Sequence, residues 1–171
     1  MNWQRWNEFD ERWLQRFGVA DRPGNRRRIA IVLAHSGDSW FWLTGLGLLW
    51  LAAPEPWKAW AARVGVSILA LALIVLVIKF RVRRERPAGE WGAIYRRSDP
   101  HSFPSGHAAR AAMLAVLAFG WGPLWLAVLL ILWAPLVSLA RVWMGLHYPT
   151  DVAAGAVIGL LAGAGALLLF P

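Results

Sequence analysis

The chain has 171 residues, 58% of them hydrophobic, and a mean hydropathy of +0.44, a composition that would be unusual for a soluble domain. It has no cysteine, which excludes disulfides, thiol catalysis and thiolate metal sites. The formal charge of +8 in so apolar a chain favours anionic lipid or a membrane surface as the partner, rather than nucleic acid. We therefore expect a single polytopic membrane domain.

Residues 1–18 show an amphipathic pattern at 100° per residue. Its apolar side carries six residues: Trp3, Trp6, Phe9, Trp13, Leu14 and Phe17. Asp10 falls among them as an exception, and the opposite side is charged. The pattern predicts a helix lying on the membrane surface, although a helix packed on the rim of the domain fits it equally well. We take residues 1–28 as this interfacial segment and 29–171 as the membrane-embedded domain.

The first predicted span runs from Ile29 to Ala53 and is interrupted by a polar stretch at residues 35–38. Its first turns are therefore expected at the interface or buried against other helices. An aspartate inside an apolar run costs roughly 2.5–3.5 kcal/mol at mid-membrane unless it is paired. We expect His35 and Asp38 to have structural roles, capping or pairing near the surface.

A tight connection at residues 54–56 leads into a second span from Ala59 to Ile78, which ends in a basic run at 79–87. A polar loop follows to Ser102. Three further spans are expected at 105–120, 124–140 and 152–170.

The span at 105–120 begins at Ser105 or Gly106 and is short for a bilayer at about 1.5 Å per residue. Its first turn is therefore expected below the headgroup plane. The last span is rich in Gly and Ala, which favours close helix packing. The sequence predicts an all-α polytopic membrane bundle of about five transmembrane helices plus an N-terminal amphipathic interfacial helix.

Counting the crossings shows which segments meet. The second span ends, the third begins, the fourth ends and the fifth begins on the same membrane face. Residues 79–87, 105–107 and 141–151 are therefore expected to be neighbours in space although they lie apart in sequence.

The groups on this face suit a phosphoryl group. They are Lys79, Arg86, Ser105, Gly106, His107, Arg141, His147 and Asp151. Three fixed cations, a hydroxyl and a backbone N–H at a helix start match several charged oxygens. Two histidines allow one to attack and the other to protonate the leaving oxygen.

Each of these residues also has an ordinary structural explanation. Basic residues at the end of a span are usually topology signals, and Asp151 in a first helical turn is often only a cap. Independent topology signals would have no reason to place two histidines, a carboxylate and an anion-binding helix start on one face. The combination therefore favours a phosphoryl-transfer site.

The order and spacing of these motifs resemble the type 2 phosphatidic acid phosphatase (PAP2) family, relatives of the vanadium haloperoxidases. The resemblance rests on Lys79 followed by Arg86-Pro87, then Pro104-Ser105-Gly106-His107, then Arg141 followed by His147 and Asp151. It implies a lipid phosphatase with a helical membrane core that needs no metal and no cofactor.

The resemblance also implies roles for individual residues. His147 would be the nucleophile that forms a phosphohistidine, Asp151 its orienting partner, and His107 the general acid for the leaving group. The phosphate oxygens would be held by Lys79, Arg86, Ser105, Gly106 and Arg141.

Two positions depart from the core pattern. Ala140 stands where the family usually has Ser, which removes a possible hydrogen bond but no charged or reacting group. Arg110, one turn beyond His107, is an addition. The run from Ser102 to Ala112 is similar to that of some polyisoprenyl-diphosphate phosphatases in the family, where a second phosphate could use the extra positive charge.

We therefore expect hydrolysis of a lipid phosphate or diphosphate, with a polyprenyl diphosphate such as the undecaprenyl carrier ahead of phosphatidate or phosphatidylglycerol phosphate. A non-enzymatic anion-binding or lipid-transfer membrane protein would use the same cations but would have no need for both histidines and Asp151. The expected partners are the lipid phosphate substrate and membrane lipids, with no nucleic acid.

The basic residues do not settle the orientation of the chain. Counted as topology signals, they would put the face that carries residues 79–87, 105–107 and 141–151 in the cytoplasm. Many of them are needed to bind phosphate, however, and bacterial relatives generally place this site on the outer side of the inner membrane. We expect the outer side.

Overall fold

The computed structural model describes residues 3–18, 24–89 and 99–170. Within these ranges the regular structure is helical, apart from one antiparallel bridge between Glu85 and His101. Seven helices lie in the described ranges: α1 Trp3–Phe17, α2 Asn25–Ser36, α3 Ser39–Ala52, α4 Trp57–Val82, α5 Gly106–Trp121, α6 Leu124–Trp143 and α7 Pro149–Leu169.

Three of these helices, α4, α6 and α7, are long and apolar enough to cross a membrane. Helix α3 is apolar but has 14 residues, and α5 has 16, so at about 1.5 Å per residue they are roughly 21 Å and 24 Å long. The expected all-α polytopic membrane bundle is confirmed, with three full-length spans and two shorter helices packed among them.

Helix α5 lies at the centre of the bundle, and nearly all of its first three turns is buried. It packs most extensively against α7, followed by α6. Three buried glycines at four-residue spacing, Gly155, Gly159 and Gly163, form the face of α7 that meets α5. Because they lack side chains, the two backbones approach closely, as the Gly- and Ala-rich composition of this span predicted.

The predicted first span is two helices, which break at Gly37 and Asp38. Helix α2 lies against the C-terminal end of α6, where Ala30 and Ala34 pack on Ala140. Helix α3 then crosses the bundle beside α4. The polar stretch in this span therefore marks a change of direction, and the proposed boundary between residues 28 and 29 falls inside α2.

Helix α1 packs on the rim of the bundle, and this contact explains the exceptional aspartate. Asp10 is fully buried at the corner where α7 begins. Trp6, Phe9 and Phe17 remain about half exposed. The helix therefore packs on its own domain and still presents apolar side chains outward, and its position on a membrane surface stays a prediction.

Candidate active site

The structure brings all eight predicted site residues to one end of the bundle. Lys79 and Arg141 lie in the last turns of α4 and α6, so these helices continue one turn beyond the predicted spans. The other residues lie in the connections or at the first turns of α5 and α7. Six of the eight residues are almost fully buried: Lys79, Arg86, Ser105, Arg141, His147 and Asp151.

Ser105 begins helix α5 as its N-cap. Its hydroxyl oxygen accepts the Ala108 N–H at 3.4 Å, and its own N–H donates to the main-chain oxygen of Asp151 at 3.0 Å. The first N–H groups of the helix, beginning with Gly106, therefore lie at a fixed position against α7. A helix start of this kind favours anions through its unpaired N–H groups and its dipole.

His147 lies on the corner between α6 and α7 with its tautomer fixed by the main chain. Its Nδ1 lies 2.8 Å from the carbonyl oxygen of Ser102, which can only accept, so Nδ1 carries the proton. Burial lowers the pKa of His147 well below its usual range, and the cations Arg86, Arg141 and Lys79 lower it further. The imidazole is therefore neutral at pH 7, with an unprotonated Nε2 that lies 3.3 Å from the Arg86 guanidinium.

Asp151 does not accept a hydrogen bond from this imidazole, because its Oδ2 lies 3.9 Å from His147 Nδ1. The same oxygen accepts the Tyr148 N–H at 2.9 Å and caps α7, and Oδ1 accepts from Arg84 at 2.6 Å. The carboxylate is thus both a helix cap and a negative charge beside the histidine. Ser102 and Arg84 were not identified from the sequence, because nothing in a loop or a basic run marks one residue as a partner.

Lys79 and Arg86 converge on one carboxylate, that of Asp99. The Lys79 Nζ lies 2.7 Å and 2.9 Å from its two oxygens, and Arg86 Nη2 lies 2.7 Å from one of them. The Asp99 side chain is 41% exposed, whereas the two cations are buried. The cations therefore present a preformed cradle for an oxyanion. Among the described residues, no three His, Asp or Glu side chains come together as a metal site would require.

His107 pairs with Asp38, whose Oδ1 lies 2.7 Å from the imidazole Nε2. Burial raises the pKa of Asp38, but its contacts with His107 and His35 outweigh this effect and lower the pKa to about 2. The sequence predicted a structural pairing for Asp38. The structure gives it a partner, 69 residues away in sequence, that is one of the predicted site residues.

Four of the eight predicted site residues line a cavity of about 300 Å³. At its polar end lie Lys79, Gly106, His107, Arg110 and His147. Apolar side chains of α4 continue the wall away from this end: Ile68, Leu71, Ala72, Val75 and Leu76. A cavity with a cationic end and an apolar wall matches an amphiphile whose headgroup carries phosphate.

A membrane helical bundle that places a neutral histidine and two buried cations, Lys79 and Arg110, at one cavity has the features of a lipid phosphatase. The chain belongs to the PAP2 superfamily, whose family model matches residues 60–171. It is a phosphatase of the PAP2 type, acting on lipid phosphates or diphosphates, and the predicted family is confirmed.

Several proteins similar to this chain are phosphatases. The decaprenylphosphoryl-5-phosphoribose phosphatase of Mycobacterium tuberculosis is 36% identical over 152 residues, which cover 85% of this chain and 81% of that protein. The undecaprenyl-diphosphatase of Sulfolobus acidocaldarius is 28% identical over 138 residues, which cover 77% of this chain and 64% of that protein. The PAP2 type phosphatidylglycerolphosphate phosphatase of Bacillus subtilis has the same fold, with a TM-score of 0.79 at 23% identity, covering 97% of this chain and 86% of that structure.

Proposed function

We propose that the chain removes the terminal phosphate of a polyprenyl-linked lipid, without a metal ion, through a phosphohistidine on His147. The observation that carries the proposal is the His147 side chain, whose Nδ1 is fixed by Ser102 so that a neutral Nε2 is available at a cationic cavity. Neutral Nε2 is the form of imidazole that attacks phosphorus.

In the first half of the reaction, His147 Nε2 forms a bond to phosphorus and the bond to the leaving oxygen breaks. His107 donates a proton to that oxygen, so the lipid leaves as a neutral alcohol or a protonated phosphate. Lys79, Arg86 and Arg141, with Ser105 and the Gly106 N–H, hold the phosphoryl oxygens. Phosphoryl transfer depends mainly on such positioning and charge stabilisation.

In the second half, water attacks the phosphohistidine while His107 accepts its proton. The phosphorus–nitrogen bond breaks, inorganic phosphate is released, and His147 returns to its neutral form. Asp151 lies beside the imidazole throughout and stabilises the positive charge that the phosphorylated ring carries.

Two substrates fit the proposed class, and they share a polyprenyl chain, a phosphate that stays with it and a terminal phosphate that leaves. One is a polyprenyl diphosphate, and the other is a polyprenylphosphoryl-5-phosphoribose, as the names of the two relatives above suggest. Arg110 supports a substrate with a second phosphate, since it lies at the cavity wall one turn beyond His107. Phosphatidate and phosphatidylglycerol phosphate, each with a single phosphomonoester, are the alternative.

The test is phosphate release from these four lipids by the detergent-solubilised protein. We expect the two polyprenyl lipids to be hydrolysed with the higher kcat/KM. A preference for phosphatidate or phosphatidylglycerol phosphate would overturn the substrate class, and no release from any lipid would overturn the activity.

Two variants separate the roles of the histidines. His147→Ala should abolish turnover of every substrate, including p-nitrophenyl phosphate, because the nucleophile is gone. His107→Asn should lose most activity on lipids but retain more on p-nitrophenyl phosphate, whose leaving group departs without a proton. Near-wild-type rates for His147→Ala would refute the nucleophile assignment.

We further propose that the site faces the outside of a bacterial inner membrane. Since the chain has no cysteine, a single introduced cysteine can report the orientation. Ala88→Cys lies at the end of the bundle that carries the site, and an impermeant thiol reagent should label it in intact cells if that end faces outside. Ala52→Cys, at the C-terminal end of α3 and therefore at the opposite end of the bundle, is the matched control. Labelling of Ala52→Cys alone would place the site in the cytoplasm.

A further inference from the structure

Asp10 is a buried carboxylate on the apolar side of α1. A charge out of contact with water is costly unless it is paired and hydrogen-bonded. Its Oδ2 lies 2.7 Å from Arg84 Nη2 and accepts the Thr150 hydroxyl, and its Oδ1 accepts the Thr150 N–H at 3.2 Å. Its partners are therefore Thr150 at the start of α7, 140 residues away in sequence, and Arg84 in the connection after α4, 74 residues away.

Arg84 joins Asp10 to Asp151. Its Nη2 binds Asp10, and its Nη1 binds Asp151 Oδ1 at 2.6 Å and the Thr150 hydroxyl at 2.7 Å. The guanidinium also lies over the Tyr148 ring, 4.2 Å from its centroid. Its side chain is only 8% exposed. One guanidinium thus fixes both carboxylates and the start of α7.

This arrangement places a net negative charge behind His147, because two buried carboxylates share one cation. Burial lowers the pKa of Arg84, but Asp151 and Asp10 raise it above its usual value, so the guanidinium stays charged. In the proposed reaction the imidazole is neutral in the free protein and positively charged when phosphorylated. A negative charge behind it therefore stabilises the phosphorylated form more than the resting form.

We propose that Asp10 and Arg84 are positioning residues for the phosphatase reaction: α1, through Asp10, holds Arg84 against Asp151 and so fixes the carboxylate and the corner that carry His147. This inference rests on the proposed phosphohistidine mechanism. It gives α1 a part in turnover. Neither residue touches the cavity, so both act through Asp151.

The first test is Asp10→Asn, which keeps the size of the side chain and removes its charge. We expect kcat to fall about fivefold to tenfold with KM changed less than twofold, because the lost charge affects the phosphorylated imidazole and not substrate binding. Asp10→Glu, which restores the charge, should recover part of the rate. Glu8→Gln, the same charge change at an exposed position of α1, is the matched control and should keep the wild-type kcat.

The second test is a double-mutant cycle with Arg84→Gln. If Asp10 acts through Arg84, Asp10→Asn should reduce kcat much less in the Arg84→Gln background than in the wild type. Additive losses, or an equal loss in Glu8→Gln, would overturn the proposal that Asp10 acts through Arg84. So would a loss in Asp10→Asn that disappears when the rate is normalised to the folded fraction from thermal unfolding.

The outcomes also separate this inference from the proposed function. An active wild type with an unchanged Asp10→Asn variant refutes only the positioning role of Asp10 and Arg84. A wild type that releases no phosphate from lipids or from p-nitrophenyl phosphate overturns both.

Discussion

The glycine at position 155 connects helix packing to the proposed phosphate site. A Cβ added there would lie closer than 3.0 Å to the carbonyl oxygen of Ser105, whereas ordinary contact begins at 3.4 Å. The obstacle is backbone and cannot rotate away, unlike a side chain. Gly155→Ala must therefore push the start of α5 away from α7, and the Gly106 N–H moves with it.

The size of the effect follows from that displacement. A shift of about half an ångström at the helix start should reduce kcat/KM about tenfold, since a misplacement of about 1 Å costs roughly a hundredfold. Overpacking of a tight interface also costs about 1–3 kcal/mol of folding stability. For a chain of this size that lowers Tm by roughly 2–12 °C.

The assay is phosphate release by the purified variant at a temperature well below its Tm, with thermal unfolding followed in the same detergent. Gly165→Ala is the matched control on the same helix, because an added Cβ there meets nothing within 4 Å. It should keep full activity and equal or exceed the wild type in Tm. Wild-type kcat/KM in Gly155→Ala, or equal losses in both variants, would show that the contact between Gly155 and Ser105 does not position the proposed phosphate site.

The remaining predictions concern pH and metal ions. Because burial and three cations lower the pKa of His147 well below 6.5, the nucleophile stays unprotonated on acidification, and the acid limb of kcat/KM should lie below pH 6.5. Asp38→Asn removes a carboxylate whose pKa of about 2 keeps it ionised beside His107. Without that negative charge the protonated form of His107 is less stable, so the alkaline limb of kcat/KM should move down by about one to two pH units. An unmoved alkaline limb would contradict the pairing of Asp38 with His107. Full activity should persist in EDTA and vanadate should inhibit strongly, whereas loss in EDTA that Mg²⁺ restores would contradict the metal-free mechanism.

The sequence alone determined the class of fold and the set of segments that meet. Apolar run length is a local property, so the spans at 59–78, 124–140 and 152–170 correspond to α4, α6 and α7 with shifts at their ends. The number of membrane crossings between two segments decides whether they lie on the same face. Counting the spans therefore predicted that residues 79–87, 105–107 and 141–151 would share one end of the bundle.

Which groups pair at that end of the bundle depends on the packing of the helices. The hydrogen-bond acceptor for His147 Nδ1 is the main-chain oxygen of Ser102, and main-chain atoms carry no sequence signal. The pairing of Asp38 with His107 depends on how α3 crosses the bundle, and that of Asp10 with Arg84 on how α1 docks at its rim. Hydropathy measures each residue's preference for a medium, whereas partner choice depends on depth and direction in the packed bundle. The sequence therefore predicted which groups react, and the packing decides how these groups are held.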